Sequence, residues 1–325
     1  MKLLVKGILY ASLVVSGVMA QEAVNIVVKE PTVIKNVAAD IEIFTSENTD
    51  GNITTASIEQ AFKEAGFIVS ANRDMNGPFV KQFKESGFDT YNLFTFYKQD
   101  TVLDLVKKYP NIGLFAPMSM SIYTKKGEKK ISVSSLTAEA MAKIMKAPSD
   151  DKTLHDLRIL VKKTLKKAMP NGSFETLAYE MTEAKGELVT NFSMDMDADE
   201  WEDELEEFKM GFEGELAPNG FVIAGHNNLG DDFEESNYDA FDFYEVYSVC
   251  KLPVIYTIAK TRPEAGAYAP CSLYLSKKKS EEMMQIGFPS VYNWMSSMAI
   301  ESKEDMEVLE TAQAGMKKIL TGLTE

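Results

Sequence analysis

The segment Gly66-Phe67-Ile68-Val69-Ser70-Ala71 returns 154 positions later as Gly220-Phe221-Val222-Ile223-Ala224-Gly225, and Phe79 then falls on Phe233 without a gap. At an offset of 153, Phe88-Asp89-Thr90-Tyr91 matches Phe241-Asp242-Phe243-Tyr244, and Pro110 matches Pro263. Gly113-Leu114-Phe115-Ala116-Pro117 matches Gly266-Ala267-Tyr268-Ala269-Pro270, and Lys125-Lys126 matches Lys278-Lys279. One residue of slip over so long a stretch marks a duplicated unit. Two copies with the same order of apolar faces must fold along equivalent paths.

The boundary falls at Pro170-Asn171-Gly172-Ser173, a turn-forming cluster. It follows a helix expected over about 151–168, with Leu154, Leu157, Val161, Leu165 and Ala168 on one stripe and lysines toward its end. The second copy closes in the same way, with a helix over about 304–320 opened by Ser302 and Asp305 in capping-box spacing. The copies therefore span 21–170 and 173–325. In the first, strands are expected over 41–45, 67–72, 91–97 and 114–124, an edge strand over 130–134, and helices over 57–65 and 101–108. The second repeats the pattern, with strands near 189–194, 221–226, 243–250 and 267–276. The fold class is α+β: two homologous domains, each a mainly antiparallel sheet with helices on one face, packed as a pseudo-dimer.

Residues 1–20 read as a signal peptide. Lys2 and Lys6 precede an apolar run over 8–15, and Val18-Met19-Ala20 supplies small residues for cleavage. The run is too short to span a bilayer, which needs about 20 apolar residues. A periplasmic or secreted protein is expected. The net charge of −15 argues against nucleic acid as a partner, and no later segment is apolar enough for a membrane span. A small molecule or a protein remains as the partner. Two cysteines exclude a disulfide scaffold, and two histidines disfavour a His-rich zinc site.

Three stretches carry a family likeness: Ala65-Gly66-Phe67-Ile68-Val69, the Pro-x-x-Gly of Pro110/Gly113 and Pro263/Gly266, and the proline-centred strand that follows each. On these the chain resembles the bacterial and archaeal domain-of-unknown-function 302 family. In that family the strand before the helix ends in Cys-Asn-Pro and the later strand carries Pro-Cys-Asn. The second copy keeps both cysteines, as Cys250 and as Cys271 directly after Pro270, whereas the first has Tyr97 and Met118. Lys251-Leu252-Pro253 places the proline one position late. The resemblance implies the fold and a dimer-like packing of the copies, and names no activity.

Cys250 and Cys271 admit three readings: a disulfide, two reduced apolar fillers, or a thiol site for metal or redox chemistry. Met118 and Met120 share one face of a strand, and soft thioethers beside a thiolate suit Cu(I). The same methionines also suit a packed core. Asp195, Asp197, Asp199 and Glu206 match the spacing of a calcium loop, but Glu200 stands where glycine is wanted. The alternative there is a helix with Asp199 as N-cap and Glu202 as its partner. Phosphate-loop, dinucleotide, nucleophile-elbow and paired-His zinc motifs are absent from the sequence.

The leading expectation is a non-catalytic binding or accessory protein. Its site is a groove between the copies, lined by Tyr97, Pro117 and Met118 from one and Cys250, Pro270 and Cys271 from the other. Two alternatives stand beside it: a copper- or haem-handling protein using Met118, Met120, Cys250 and Cys271, and a thiol-dependent enzyme acting through Cys271.

Overall fold

The computed structural model describes residues 38–325; the segment read as a signal peptide lies outside them. The first copy runs β1 (Ile41–Glu47), α1 (Thr55–Glu64), β2 (Ile68–Asp74), α2 (Asn76–Phe83), β3 (Phe88–Tyr97), α3 (Gln99–Val106), β4 (Met118–Lys125), β5 (Lys130–Leu136), α4 (Ala138–Met145) and α5 (Lys152–Ala168). A two-residue strand, β6 (Ser173–Phe174), follows. The second copy repeats the order as β7 (Val189–Asp195), α6 (Trp201–Leu216), β8 (Val222–Asn228), α7 (Leu229–Glu235), β9 (Phe241–Cys250), α8 (Leu252–Ala259), β10 (Cys271–Lys278), β11 (Met283–Pro289), α9 (Val291–Ser297) and α10 (Lys303–Thr324). A 3-10 turn precedes β4 and another precedes β10.

The sheets have equivalent orders, β2-β3-β4-β5-β1-β6 and β8-β9-β10-β11-β7, with every pairing antiparallel. The strand expected at an edge, β5, lies inside instead, because β1 returns along its free side from Ile41↔Leu136 to Glu47↔Lys130. A pairing between strands so distant in sequence leaves no local periodic signal. One edge strand of each sheet, β2 and β8, lies beside the other: Ser70 Oγ donates to Asn227 Oδ1 at 3.0 Å, and Arg73 Nε donates to the Ala224 carbonyl at 2.8 Å.

Alternation along each strand sends one set of side chains to the helices and the other to the partner copy. In β3, Phe94 and Phe96 pack with Ile58 and Phe62 of α1 and Leu157, Val161 and Leu165 of α5. Tyr91, Leu93 and Tyr97 belong instead to the apolar cluster that runs on into the second copy. The copies do not bury wholly separate centres. The first keeps a core of its own on its helix side, while its other face and the whole second copy form one continuous cluster.

Contacts across the junction come in reciprocal pairs and define a pseudo-twofold relation. The Tyr91 hydroxyl donates to the Pro263 carbonyl at 2.9 Å, and the Tyr244 hydroxyl donates to the Pro110 carbonyl at 2.7 Å. Ser119 Oγ donates to the Pro270 carbonyl at 2.9 Å, and Ser272 Oγ to the Pro117 carbonyl at 3.0 Å. Gly113 and Gly266 show why glycine is needed at this approach. A Cβ on the first would stand 2.5 Å from Tyr274 Cβ, and on the second 2.4 Å from Ser121 Cβ.

The first closing helix begins one residue after the expected start, with Asp151 as its N-cap accepting from the Thr153 and Leu154 amides, and Ser302 caps the second as expected, accepting from the Asp305 amide. The acidic run differs from both expectations. Asp195 ends β7, Glu200 is an N-cap without a side-chain bond, and α6 begins at Trp201. Asp199 does not cap. Its amide donates to Asp197 Oδ1, while Glu204 reaches back to the Asp197 amide. The helix is not simply solvated either, since it buries Leu205, Phe208, Phe212 and Leu216.

Candidate functional site

The six residues expected to share one groove occupy two equivalent places, because each is the counterpart of another: Tyr97 of Cys250, Pro117 of Pro270, Met118 of Cys271. Pro117 and Pro270 flank the pseudo-twofold junction through their bonds to Ser272 and Ser119. Met118 pairs with Phe96 and turns to the helix side of its own copy, as Cys271 does opposite Val249. A twofold relation carries equivalent positions to separate sites unless they lie on the axis.

On its helix side, the second copy contains an apolar cavity of about 70 Å³. Its walls include Val249, Cys250, Cys271, Trp294, Leu309 and Ala312. The matching space in the first copy is only about 20 Å³ and is walled by Phe96, Met118, Met141, Arg158 and Val161. The register explains the difference. Phe96 becomes Val249, Met118 becomes Cys271 and Val161 becomes Ala312, so side-chain volume is lost at each. Arg158, which pairs with Glu42 at 3.0 Å and Glu139 at 2.9 Å, becomes Leu309, so the charge goes too. Glu42 and Lys162, paired at 2.9 Å, become Thr190 and Gln313. Gln313 uses its amide on Thr190 Oγ1 and the Val291 amide. The Trp294 indole N–H is buried without a partner among the described residues. Lys251 lies at the rim, its ammonium 4.7 Å from the Phe221 ring centroid and 3.0 Å from the Asn219 carbonyl.

Both cysteines are free thiols. Burial pushes Cys250 up to about 12, with nearby Cys271 adding to the effect, and burial alone pushes Cys271 up to about 12. Cys271 Sγ donates to the Tyr268 carbonyl at 3.4 Å. These are protonated, apolar groups at neutral pH, whereas nucleophilic and metal-binding chemistry uses the thiolate. Met118 and Met120 do share a face, but they line the first copy's cavity, not that of the cysteines. Among the described residues no group of three or more His, Cys, Asp or Glu is placed to hold a metal ion.

A second space, of about 270 Å³, spans the copies between Leu93 and Thr95 on one side and Val222, Cys250 and Pro270 on the other. Across the junction Tyr97 takes the place of Cys250. Its hydroxyl donates to Asp232 Oδ2 at 2.9 Å, and burial together with that carboxylate raises its pKa. Of the six residues expected to line one inter-copy groove, Cys250 and Pro270 are in the wall of this space, whereas Tyr97, Pro117, Met118 and Cys271 are not.

His226, expected at a strand end, sits within β8 and bonds Glu245 Oε2 at 2.8 Å, with Lys209 at 3.2 Å from the other oxygen. Burial alone would raise Glu245, but the His226 bond and the Lys209 charge hold its carboxyl below the usual range. The counterpart network uses Asn72 and Asn92, bonded at 2.8 Å. His155 is half-buried and bonds the Ser149 carbonyl at 2.9 Å.

Fold and site define a class: a fused pseudo-dimer of two α+β units, in which one copy holds an apolar cavity that its twin has largely closed. The domain of unknown function DUF302 matches the chain twice, over residues 43–171 and 200–323. The chain belongs to the DUF302 family, as a tandem duplication. A crystal structure of an uncharacterized conserved DUF302 protein from Bacillus stearothermophilus is similar at 14% identity, covering 43% of this chain and 100% of that one, with a TM-score of 0.35. No curated protein matches the chain. Among the described residues no helix is long and apolar enough to cross a membrane.

Proposed function

We propose that the chain is an exported, non-catalytic binding protein whose second copy holds a small apolar molecule in the cavity beside Cys250 and Cys271. One observation carries the reading: the cavity is enlarged and stripped of charge in that copy, while the twin space keeps Phe96, Met118 and the Arg158–Glu42 pair. After duplication one site was free to diverge while the other kept a packing role. The walls favour an aromatic or short aliphatic molecule, because Gln313 is satisfied within the protein and Leu309 stands where the first copy has Arg158. An oxygen acceptor on the ligand would meet the unpartnered Trp294 N–H. The export reading rests on the pattern of Lys2, Lys6 and the small residues 18–20.

Toluene is a suitable probe, followed by methyl NMR of the methionines. Saturable shifts are expected at Met316, which lines the second copy's cavity, with Met118 in the first serving as the internal control. Val249→Phe combined with Cys271→Met restores the first copy's side chains and should abolish the shifts. Equal responses in both proteins, or shifts centred on Met118, would contradict the reading.

A further inference from the structure

The space of about 270 Å³ between the copies lies where one side chain differs between them. Tyr97 ends β3 opposite Ile68, and Cys250 ends β9 opposite Val222, so the two hold the same place in their copies. The Tyr97 ring is buried at the junction and reaches the second copy, where its hydroxyl donates to Asp232 Oδ2 at 2.9 Å. Cys250 stops short, and the space opens beside it. Apolar wall comes from Met75 and Leu93 of the first copy and from Val222, Ile223 and Pro270 of the second. Among the described residues Arg73 is the one charged group in the wall, and no carboxylate stands there. Its Nε donates to the Ala224 carbonyl at 2.8 Å, which fixes the guanidinium at the junction, and its terminal nitrogens make no ion pair among the described residues. The Thr95 hydroxyl, on a residue of the same wall, is buried without a partner among the described residues.

We propose that this space binds a small aromatic carboxylate, with its ring beside Cys250 and its carboxylate at Arg73. The twin place supplies the reason for a ring, because there the Tyr97 side chain fills the junction. Pro78 is the counterpart of Asp232, so a phenol would find no matching carboxylate at its polar end. Arg73 favours a carboxylate instead. Its guanidinium is a planar, permanently charged fork whose outer N–H donors match two carboxylate oxygens. The twin place has no such cation: Asn227 is the counterpart of Arg73, and its Oδ1 accepts from Ser70 at 3.0 Å. An acceptor on the ligand would also relieve the Thr95 hydroxyl, since a buried polar group without a partner is destabilising. The site is distinct from the apolar cavity. Cys250 stands in both walls, but Arg73, Met75 and Thr95 belong to this one alone, and the ligand here is charged where the cavity takes a neutral molecule. The two assignments stand or fall independently.

Sodium benzoate is the probe, titrated into the full chain and followed by the methionine methyl resonances. Saturable shifts are expected at Met75, in the wall of this space, and not at Met316, in the wall of the apolar cavity. Benzyl alcohol keeps the ring and acetate keeps the charge, and each should bind about tenfold more weakly than benzoate. Arg73 is exposed, so Arg73→Gln leaves the fold in place. It should weaken benzoate about tenfold while the unliganded methionine spectrum stays as in the parent chain, which separates lost recognition from damage. Arg73→Lys keeps the charge without the fork and should fall between the two. Cys250→Tyr restores the twin's side chain and should abolish the Met75 shifts. Shifts at Met75 that are absent, equal for benzoate and either control, or unchanged in Arg73→Gln would overturn the proposal. Shifts centred on Met316 would overturn it too, by placing the ring in the apolar cavity.

Discussion

At the level of single residues, the two copies differ where a handful of side chains changed size or charge. Cys250 and Cys271 contribute by being small and uncharged. Each thiol ionises near 9.0 when unhindered and near 12 in the fold, so the folded state favours the protonated form. That stabilisation is complete below about pH 9 and is lost as pH rises toward 12. Stability should therefore fall over that window, and Cys250→Ala should flatten the slope. Iodoacetamide at neutral pH should label the native chain far more slowly than the urea-unfolded chain. Equal labelling rates would contradict the burial argument. The pairing of Tyr97 with Cys250 and of Met118 with Cys271 is legible in the register of the repeat. Their separation into two sites is not, because it depends on where the pseudo-twofold axis passes.

Elements were legible where a stripe, cap or glycine marked them. The helix α5 and its Asp151 cap follow from local sequence, and Asp151 also accepts from the Tyr109 hydroxyl at 2.9 Å. Asp151→Ala should lower stability by about 1–2 kcal/mol, as loss of an N-cap typically does. A change in urea-unfolding free energy below a few tenths of a kcal/mol would show that the helix start does not depend on it. The short helices α2, α4, α7 and α9 span only two turns or so, too few for a periodic signal to stand out, and their apolar residues are set by distant partners. Thr137 and Ser290, which cap α4 and α9, were their readable signals. The acidic start of α6 misled because Asp197, rather than Asp199, organises the turn.

At the scale of the molecule, the duplication explains both the symmetry of the junction and its asymmetric cavities. Reciprocal bonds through Tyr91 and Tyr244, and through Ser119 and Ser272, tie the halves at equivalent points. The apolar cluster then runs through the junction without interruption. Sequence periodicity shows that there are two copies but not that their interiors join, since the joining residues look like ordinary sheet residues. A core continuous between the copies makes them one cooperative unit. Differential scanning calorimetry of the full chain tests this most directly. One transition, with calorimetric and van't Hoff enthalpies equal, is the result expected of a fused pseudo-dimer. Two resolved transitions, one for each half, would contradict it.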